Sequence, residues 1–341
     1  MKLRCLCIVP VLALGAACAY AAPPAPVVAP AQWMEGLARG YLQPAYADLS
    51  ASSQALADAV HESCERRDAA ATAQARRQWE EAALALRRVA ALPLGPAMDS
   101  RLLRRVDFWP TRPAQIETTA AGFSPDAAAR VGTTARGLPA LEYLLFDRGR
   151  AALATDARAC AYAEWVARDV ADTVRPVAEA WPAWAQAVPD AGDEEQARML
   201  TDGVNILIGS IDTLRLKYLE KPLRAKNAAP ELDAWRSGRT RAHLAAYFAG
   251  VRAGLQGAGQ AYGLTAVLRG RGLLELAGRV DARVAAAEGA LAALPDDLAS
   301  ARGRAAAATA IDALGRLQAV LGNDVAGALK VSIGFGDNDG D

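Results

Sequence analysis

The chain has 341 residues, of which 38 are basic and 38 acidic, and 52% are hydrophobic. This balance argues against a nucleic-acid-binding protein, which would carry an excess of positive charge. Beyond the N terminus no stretch has the roughly 18 uninterrupted apolar residues of a membrane span. The length exceeds the size at which one hydrophobic core usually stops growing, so two domains are expected.

The N terminus, residues 1–21, has the features of a secretory signal peptide. Two cations precede an apolar run too short to span a membrane, and Ala19-Tyr20-Ala21 precedes a proline-rich stretch. This pattern predicts cleavage after Ala21 and export to the periplasm. A lipid anchor on Cys18 is the alternative, although Gly15 stands where such sites prefer a bulky aliphatic side chain. Cleavage leaves a formal charge of −2, because it removes two cations and no acids.

The cysteines are interpreted in the light of export. Three of the five lie in the signal segment, which leaves Cys64 and Cys160. In an oxidising compartment such a pair is expected to form a disulfide. The alternative is a metal site that uses His61 and Cys64, which are three residues apart on one face of a helix.

The rest of the chain is predicted to be helical almost throughout, because apolar residues recur every three or four positions and no stretch shows sustained alternation. A proline-rich irregular stretch is expected at 92–123, and Ser124-Pro125-Asp126 has the features of a helix start. The predicted helices lie near 50–69, 73–91, 139–147, 157–180, 194–218, 240–256, 271–292 and 298–321. The 194–218 helix is expected to stop at Pro222.

The number of helices predicts an all-α protein with two halves that each resemble a helical bundle. A boundary is expected in the sequence WPAWAQAVPDAGD that begins at Trp181, which gives an N-terminal domain at 22–185 and a C-terminal domain at 186–341. Two halves of similar helix number are compatible with an ancient duplication.

One carboxylate, Glu142, lies in the opening turn of a short helix that is apolar on all sides. A helix of that composition is typically buried, and an ionised carboxylate is rarely left unpaired inside a protein. Three interpretations stay open: a structural pair with an arginine, a functional or metal-linked carboxylate, and exposure to solvent.

Several segments resemble the imelysin-like family. Gly137, Glu142 and the following Tyr-Leu-Leu-Phe are similar to its signature, Gly-x-His-x-x-Glu before an apolar helix, and the segment RVDFWP at 105–110 and the closing VSIGFGDNDGD are similar as well. The resemblance extends over the whole mature chain. It implies an exported all-α protein of two bundle-like halves that is linked to iron acquisition and grouped by name with peptidases.

The family's histidine position is occupied by Pro139, which can neither bind a metal nor transfer a proton. The family's site residues therefore carry over only at Gly137 and Glu142. The chain has no H-E-x-x-H motif and no nucleophile motif, and its two histidines are His61 and His243. His243 is interpreted as an ordinary surface or boundary residue. No catalytic residue is predicted, and a binding protein is favoured over an enzyme.

A polar stripe on the 194–218 helix is the main indication of binding. Its short side chains differ from those of an ordinary solvated face, which is the alternative interpretation. We expect the stripe to line a cleft between the domains, where carboxylates and carbonyls would suit iron or another hard cation. The expected cleft residues are Asp202, Asn205 and Asp212 from the stripe, with Arg105, Asp107, Arg112, Gly137 and Glu142.

The sequence thus predicts a periplasmic imelysin-like protein that acts in iron acquisition by binding a metal ion or a component of iron uptake, without proteolysis. The first alternative is a metal-dependent peptidase or other hydrolase that uses Glu142. The second is a scaffold that docks on a membrane transporter. The terminal segment 337–341, DNDGD, is interpreted as an acidic tail because it lacks the spacing and the distal glutamate of a calcium loop.

Overall fold

The computed structural model describes residues 26–150 and 153–334. The predicted signal peptide, Cys18 and the acidic tail lie outside these residues. The described part of the chain contains helices and no strands, so the prediction of an all-α fold is confirmed. Its α-helices are α1 Pro30–Leu37, α2 Gln43–Arg66, α3 Ala69–Ala90, α4 Gly95–Asp99, α5 Leu102–Val106, α6 Pro113–Gly122, α7 Gly137–Phe146, α8 Ala157–Ala187, α9 Asp193–Asp212, α10 Lys221–Arg224, α11 Thr240–Gln256, α12 Leu264–Gly270, α13 Leu274–Ala292, α14 Ala301–Ala319 and α15 Ala326–Leu329.

Short helices replace the irregular stretch that was predicted at 92–123. Three of them, α4, α5 and α6, lie there, and α4 and α6 each have a proline in their first turn. A proline is tolerated at that position because its missing N–H would have no partner within the helix. The same prolines that break the sequence periodicity therefore begin helices. The predicted start at Ser124 is followed by two 3-10 segments, Pro125–Arg130 and Thr133–Ala135.

The longest antiparallel pair is α2 with α8. A disulfide joins Cys64 and Cys160 near one end of the pair, with 5.6 Å between their Cα atoms, as predicted. Near the other end the rings of Tyr46 and Trp181 stack with their centroids 5.2 Å apart. Nδ1 of His61 lies 3.3 Å from Oε2 of Glu164 on α8, and the Cys64 sulfur of the alternative metal site is part of the disulfide.

The predicted domain boundary falls within the last turns of α8, which continues through Pro176 and Pro182. Buried apolar residues from both sides of that boundary form one continuous core. The N-terminal helix α1 also contacts the C-terminal half, because Trp33 Nε1 donates a hydrogen bond of 3.1 Å to the carbonyl of Gly254. The division into two domains stays a prediction.

The helix that begins with α9 is longer than expected. It passes through a π-helical segment, Thr213–Glu220, and continues as α10 to Arg224, so the predicted stop at Pro222 is wrong. Pro222 lies inside this continuous helix, just after the junction between the π-helical segment and α10. No helix in the ranges that the structure describes is long and apolar enough to cross a membrane.

Candidate functional site

A guanidinium group buried on α3 organises the site. Arg87 forms bidentate contacts with two aspartates: its Nε and Nη2 donate to Asp233 at 2.8 and 2.9 Å, and its Nη1 and Nη2 donate to Asp107, the latter at 2.9 Å. The three side chains are between 4% and 7% exposed. Such paired, charge-assisted hydrogen bonds are among the strongest available to an arginine. The contacts join α3 to the loop after α5, which carries Asp107, and to the loop before α11, which carries Asp233.

Asp107 reaches Arg87 because α5 ends at Val106 and the loop after it runs close to α7. The closest approach is at Gly137, whose φ is +77°. A Cβ atom at this position would lie 2.3 Å from the carbonyl oxygen of Val106. Only glycine adopts this conformation without strain and leaves room for the loop. Gly137 therefore has a structural role in placing Asp107.

His243 on α11 contacts the other aspartate. Its Nδ1 lies 2.9 Å from Asp233 Oδ2, and its ring stacks on Trp79 with 6.0 Å between the centroids. Burial disfavours the Asp233 carboxylate, but Arg87 and His243 outweigh that effect and hold its pKa well below the usual value. Nδ1 of His243 then carries the proton, and Nε2 is buried without a hydrogen-bond partner among the described residues.

Glu142 is buried, as the apolar character of its helix predicted, and 3% of it is exposed. The backbone N–H and the hydroxyl of Ser237 both donate to its Oε1 at 2.9 Å. Burial raises the pKa of Glu142, the hydrogen bonds from Ser237 oppose this rise, and the neighbouring Asp233 carboxylate adds to it. No ion pair of the described residues includes Glu142. Hydrogen bonds from Ser237, and not an ion pair with an arginine, therefore stabilise the buried carboxyl group.

Asp107 and Glu142, which are 35 residues apart in the chain, line one small cavity. Its volume is about 10 Å³, which is room for about one water molecule. Pro139, at the position of the family's histidine, forms part of the same wall. The full lining consists of Trp79, Ala83, Leu86, Arg87, Asp107, Leu138, Pro139, Glu142, Asp233 and His243.

The cavity offers too few free donor atoms for a metal ion: Nε2 of His243 has no partner among the described residues, but the other donor groups are engaged. Arg87 donates hydrogen bonds to the carboxylate of Asp107 and to that of Asp233, and Ser237 donates to Oε1 of Glu142. Pro139 supplies no donor atom. Over 26–150 and 153–334, no three His, Cys, Asp or Glu side chains are grouped so that they could hold a metal ion.

The polar stripe of α9 does not line this cavity. Asn205 holds the C-terminal segment instead: its side chain donates to the carbonyl of Ser332 at 3.0 Å and accepts from the N–H of Gly334 at 3.2 Å. Asp212 pairs with Arg215 at 2.9 Å and also accepts a hydrogen bond from α14. Asp202 is exposed. Two of the three side chains of the stripe, Asn205 and Asp212, therefore bind other parts of the same half.

The two predicted arginines also lie outside the cavity. Arg105 is exposed and faces α8, where it acts electrostatically on Asp169. Arg112 is exposed at the N-terminal end of α6, and none of the ion pairs within the described ranges includes it. Of the predicted cleft residues, the structure brings Asp107 and Glu142 together, with Gly137 as the support of the loop.

Sequence reasoning missed four residues of the site: Arg87, Asp233, Ser237 and His243. The interpretation of His243 as a surface or boundary residue is wrong, since it is 3% exposed. Two of the four residues had a signal. Arg87 lies in the apolar stretch ALALRRVA, and Asp233 lies between apolar residues in the sequence ELDAW. A charge in such surroundings requires a partner when it is buried. Nothing in the local pattern marked Ser237.

The family model for imelysin matches residues 42–321 of the chain. A crystal structure of an imelysin-like protein from Psychrobacter arcticum 273-4 is 22% identical, covers 92% of this chain and 99% of its own, and has a TM-score of 0.74. A crystal structure of a putative iron-regulated protein A precursor from Parabacteroides distasonis ATCC 8503 is 14% identical, with coverages of 86% and 93% and a TM-score of 0.74. No curated protein matches the chain. At these identities the two structures show a shared fold.

Proposed function

Since the chain belongs to the imelysin family, as the match over 42–321 shows, we propose that it is a periplasmic protein that serves iron acquisition by binding a partner protein, without cleaving peptide bonds. One observation carries the second half of this proposal: Pro139 takes the histidine position, and it lines the same cavity as the retained Glu142. The family's pair of potential metal ligands is therefore reduced to a single carboxylate.

The surroundings of Glu142 support a structural role over a catalytic one. A general base or metal ligand must present its oxygens to a substrate or an ion. Oε1 of Glu142 instead accepts two hydrogen bonds from Ser237, and the cavity beside it, about 10 Å³, has no room for a peptide. Arg87 pairs with both aspartates and Ser237 binds Glu142, so we infer that recognition takes place on the outer surface of the protein.

The place of action is inferred from other features. The N-terminal pattern at 1–21 is typical of export, and the disulfide between Cys64 and Cys160 fits an oxidising compartment. The link to iron follows the family resemblance and a structural neighbour that is itself named a putative iron-regulated protein A precursor.

Growth under iron limitation tests this function. Deletion of the gene should slow growth in iron-depleted medium, and both the wild type and Glu142→Gln should restore it, because glutamine keeps an oxygen acceptor for Ser237. The purified protein should not cleave peptide substrates with or without Zn²⁺. Two results would overturn the proposal: growth that does not depend on the gene, or a Zn²⁺-dependent cleavage that Glu142→Gln abolishes.

A further inference from the structure

The segment that begins with RVDFWP at 105–110 is buried near Val106 and Asp107 and becomes exposed toward Arg112. Val106 is buried in the core, and Asp107 is bound to Arg87. Trp109 is only half-buried, and Arg112 is exposed. The cluster around Arg87 therefore accounts for the first part of this segment and leaves the second part without a role.

Lysines are unevenly distributed in the chain. There are five among 38 basic residues, and three of the five, Lys217, Lys221 and Lys226, lie within ten positions. All three are exposed, and no ion pair within the ranges that the structure describes includes any of them. Arginines carry nearly all other positive charges, and many of them form ion pairs. A lysine head group is a compact, strongly hydrated point charge on a flexible stem, and without an intramolecular ion pair it is available to an anionic group of a partner.

The two features meet in space. The Nζ atom of Lys217 lies 6.0 Å from the ring centroid of Trp109 and 5.6 Å from that of Tyr218. The two rings are in turn 5.9 Å apart. Lys221 follows Lys217 by four residues along the same continuous helix, so the two side chains share a face. Arg112 is three residues from Trp109 in the chain and therefore lies within about 10 Å of it.

The backbone that carries these charges is fixed. Arg304 of α14 donates a hydrogen bond to the carbonyl of Leu223, which holds α10 in place. The π-helical segment Thr213–Glu220 widens the helix just before α10, and such segments are frequent at functional sites. Tyr218, under Lys217, is buried and reaches Arg87 with its ring, 5.2 Å from the guanidinium carbon to the centroid. The helix that carries Lys217 and Lys221 is therefore held in place by contacts with the rest of the protein.

We propose that this surface, formed by Trp109, Arg112, Lys217, Lys221, Arg224 and Lys226, docks an acidic segment of a partner protein. This proposal rests on the proposed function, since it names the chemistry of the partner protein. Positions 212–226 hold two acidic residues, Asp212 and Glu220, against five basic ones. The two acids pair with Arg215 and Arg224, so the three lysines carry the excess positive charge. This local excess attracts an acidic segment although the chain as a whole is neutral. The half-buried Trp109 adds apolar contact of the kind that is enriched at interfaces.

A protein segment fits this surface better than a membrane does. Binding in a membrane interface uses apolar side chains that insert between the lipids. Leu216, with 38% exposure, is the one large hydrophobic residue of the 213–226 segment that is exposed. Charge complementarity along a line of side chains is instead the usual basis of acidic peptide recognition.

Charge reversal tests the surface. The variant Lys217→Glu/Lys221→Glu/Lys226→Glu is compared with a control of equal charge change, built from exposed arginines without ion pairs in the described ranges: Arg148→Glu/Arg283→Glu/Arg302→Glu. The probe is a fluorescein-labelled peptide of aspartate and glutamate, measured by anisotropy on the full mature chain. The lysine variant should bind about tenfold more weakly or worse, and the control should bind as the wild type does. Replacing the three lysines by arginine should preserve binding.

Three results would overturn the proposal: no peptide binding by the wild type, equal losses in both variants, and binding of anionic phosphatidylglycerol vesicles without binding of the peptide. Growth in iron-depleted medium separates this inference from the proposed function. If the wild type and the lysine variant both restore growth, the docking surface is wrong and the iron role stands. If the wild type does not restore growth, the iron role fails, and the peptide measurement still decides on the surface. Circular dichroism confirms that each variant is folded.

Discussion

Removing the buried guanidinium is the sharpest test of the charge cluster. In Arg87→Leu, the carboxylates of Asp107 and Asp233 keep their buried positions, with side chains 5% and 7% exposed, and lose their common partner. Breaking a buried ion pair from one side typically costs about 3–5 kcal/mol. Burial limits solvent screening of this pair, and no other cation among the residues that the structure describes forms an ion pair with Asp107. We therefore expect a loss in that range in the free energy of unfolding.

The assay is denaturant unfolding followed by circular dichroism, and two variants sharpen it. Arg87→Leu/Asp107→Asn/Asp233→Asn should regain about 2 kcal/mol or more relative to Arg87→Leu, because it leaves no uncompensated charge. Arg175→Leu removes an exposed pair with Asp172, 52% and 61% exposed, and should leave the unfolding midpoint nearly unchanged. An Arg87→Leu protein as stable as Arg175→Leu, or a triple variant less stable than the single one, would refute the reasoning.

The destabilisation caused by Arg87→Leu should change with pH in a definite direction. Arg87 and His243 hold the pKa of Asp233 below its usual value in the folded wild type. That contribution to stability is present above the ordinary aspartate pKa and is lost only as the pH falls through the lowered folded value. In Arg87→Leu much of it is absent, so the stability difference between the two proteins should be largest at neutral pH and should shrink in acid.

Further predictions concern α7 and its surroundings. Because burial raises the pKa of Glu142, the folded state holds that proton more tightly than the unfolded state, so Glu142→Gln should stabilise most at neutral pH and progressively less as the pH falls, as measured by denaturant midpoints. Gly137→Ala should lower the melting temperature, since its Cβ would lie 2.3 Å from the Val106 oxygen, whereas Gly278→Ala, with nothing within 4 Å, should not. Pro139→His should give a Zn²⁺-dependent rise in melting temperature that the wild type lacks; no such rise would contradict our account of the cavity.

Local features of the fold could be predicted because they depend on nearby residues. The all-round apolar pattern of α7 indicated its burial, and with it the burial of Glu142. The disulfide followed from export and from the number of cysteines left in the mature chain. The predicted end of the helix that begins with α9 was wrong because Pro222 was taken as a stop, whereas the helix continues through this proline to Arg224.

The composition of the site could not be predicted in the same way. Ser237 and Glu142 are 95 residues apart, and Arg87 and Asp233 are 146 apart. Periodicity shows which face of a helix is buried, but it does not show which helices meet. The stripe on α9 was assigned to the cleft because its side chains are short and polar, and the same property lets Asn205 hold the backbone of the C-terminal segment.

The retained Glu142 beside the lost histidine has a physical explanation within the proposed function. A carboxylate that served only a metal would be a liability without it, since a buried charge is costly. Here Glu142 joins α7 to the 232–239 loop through Ser237, and the same loop carries Asp233 to Arg87. The carboxyl group therefore supports the placement of the charge cluster. A chain can lose the histidine of the motif and keep the glutamate when the glutamate also holds two parts of the fold together.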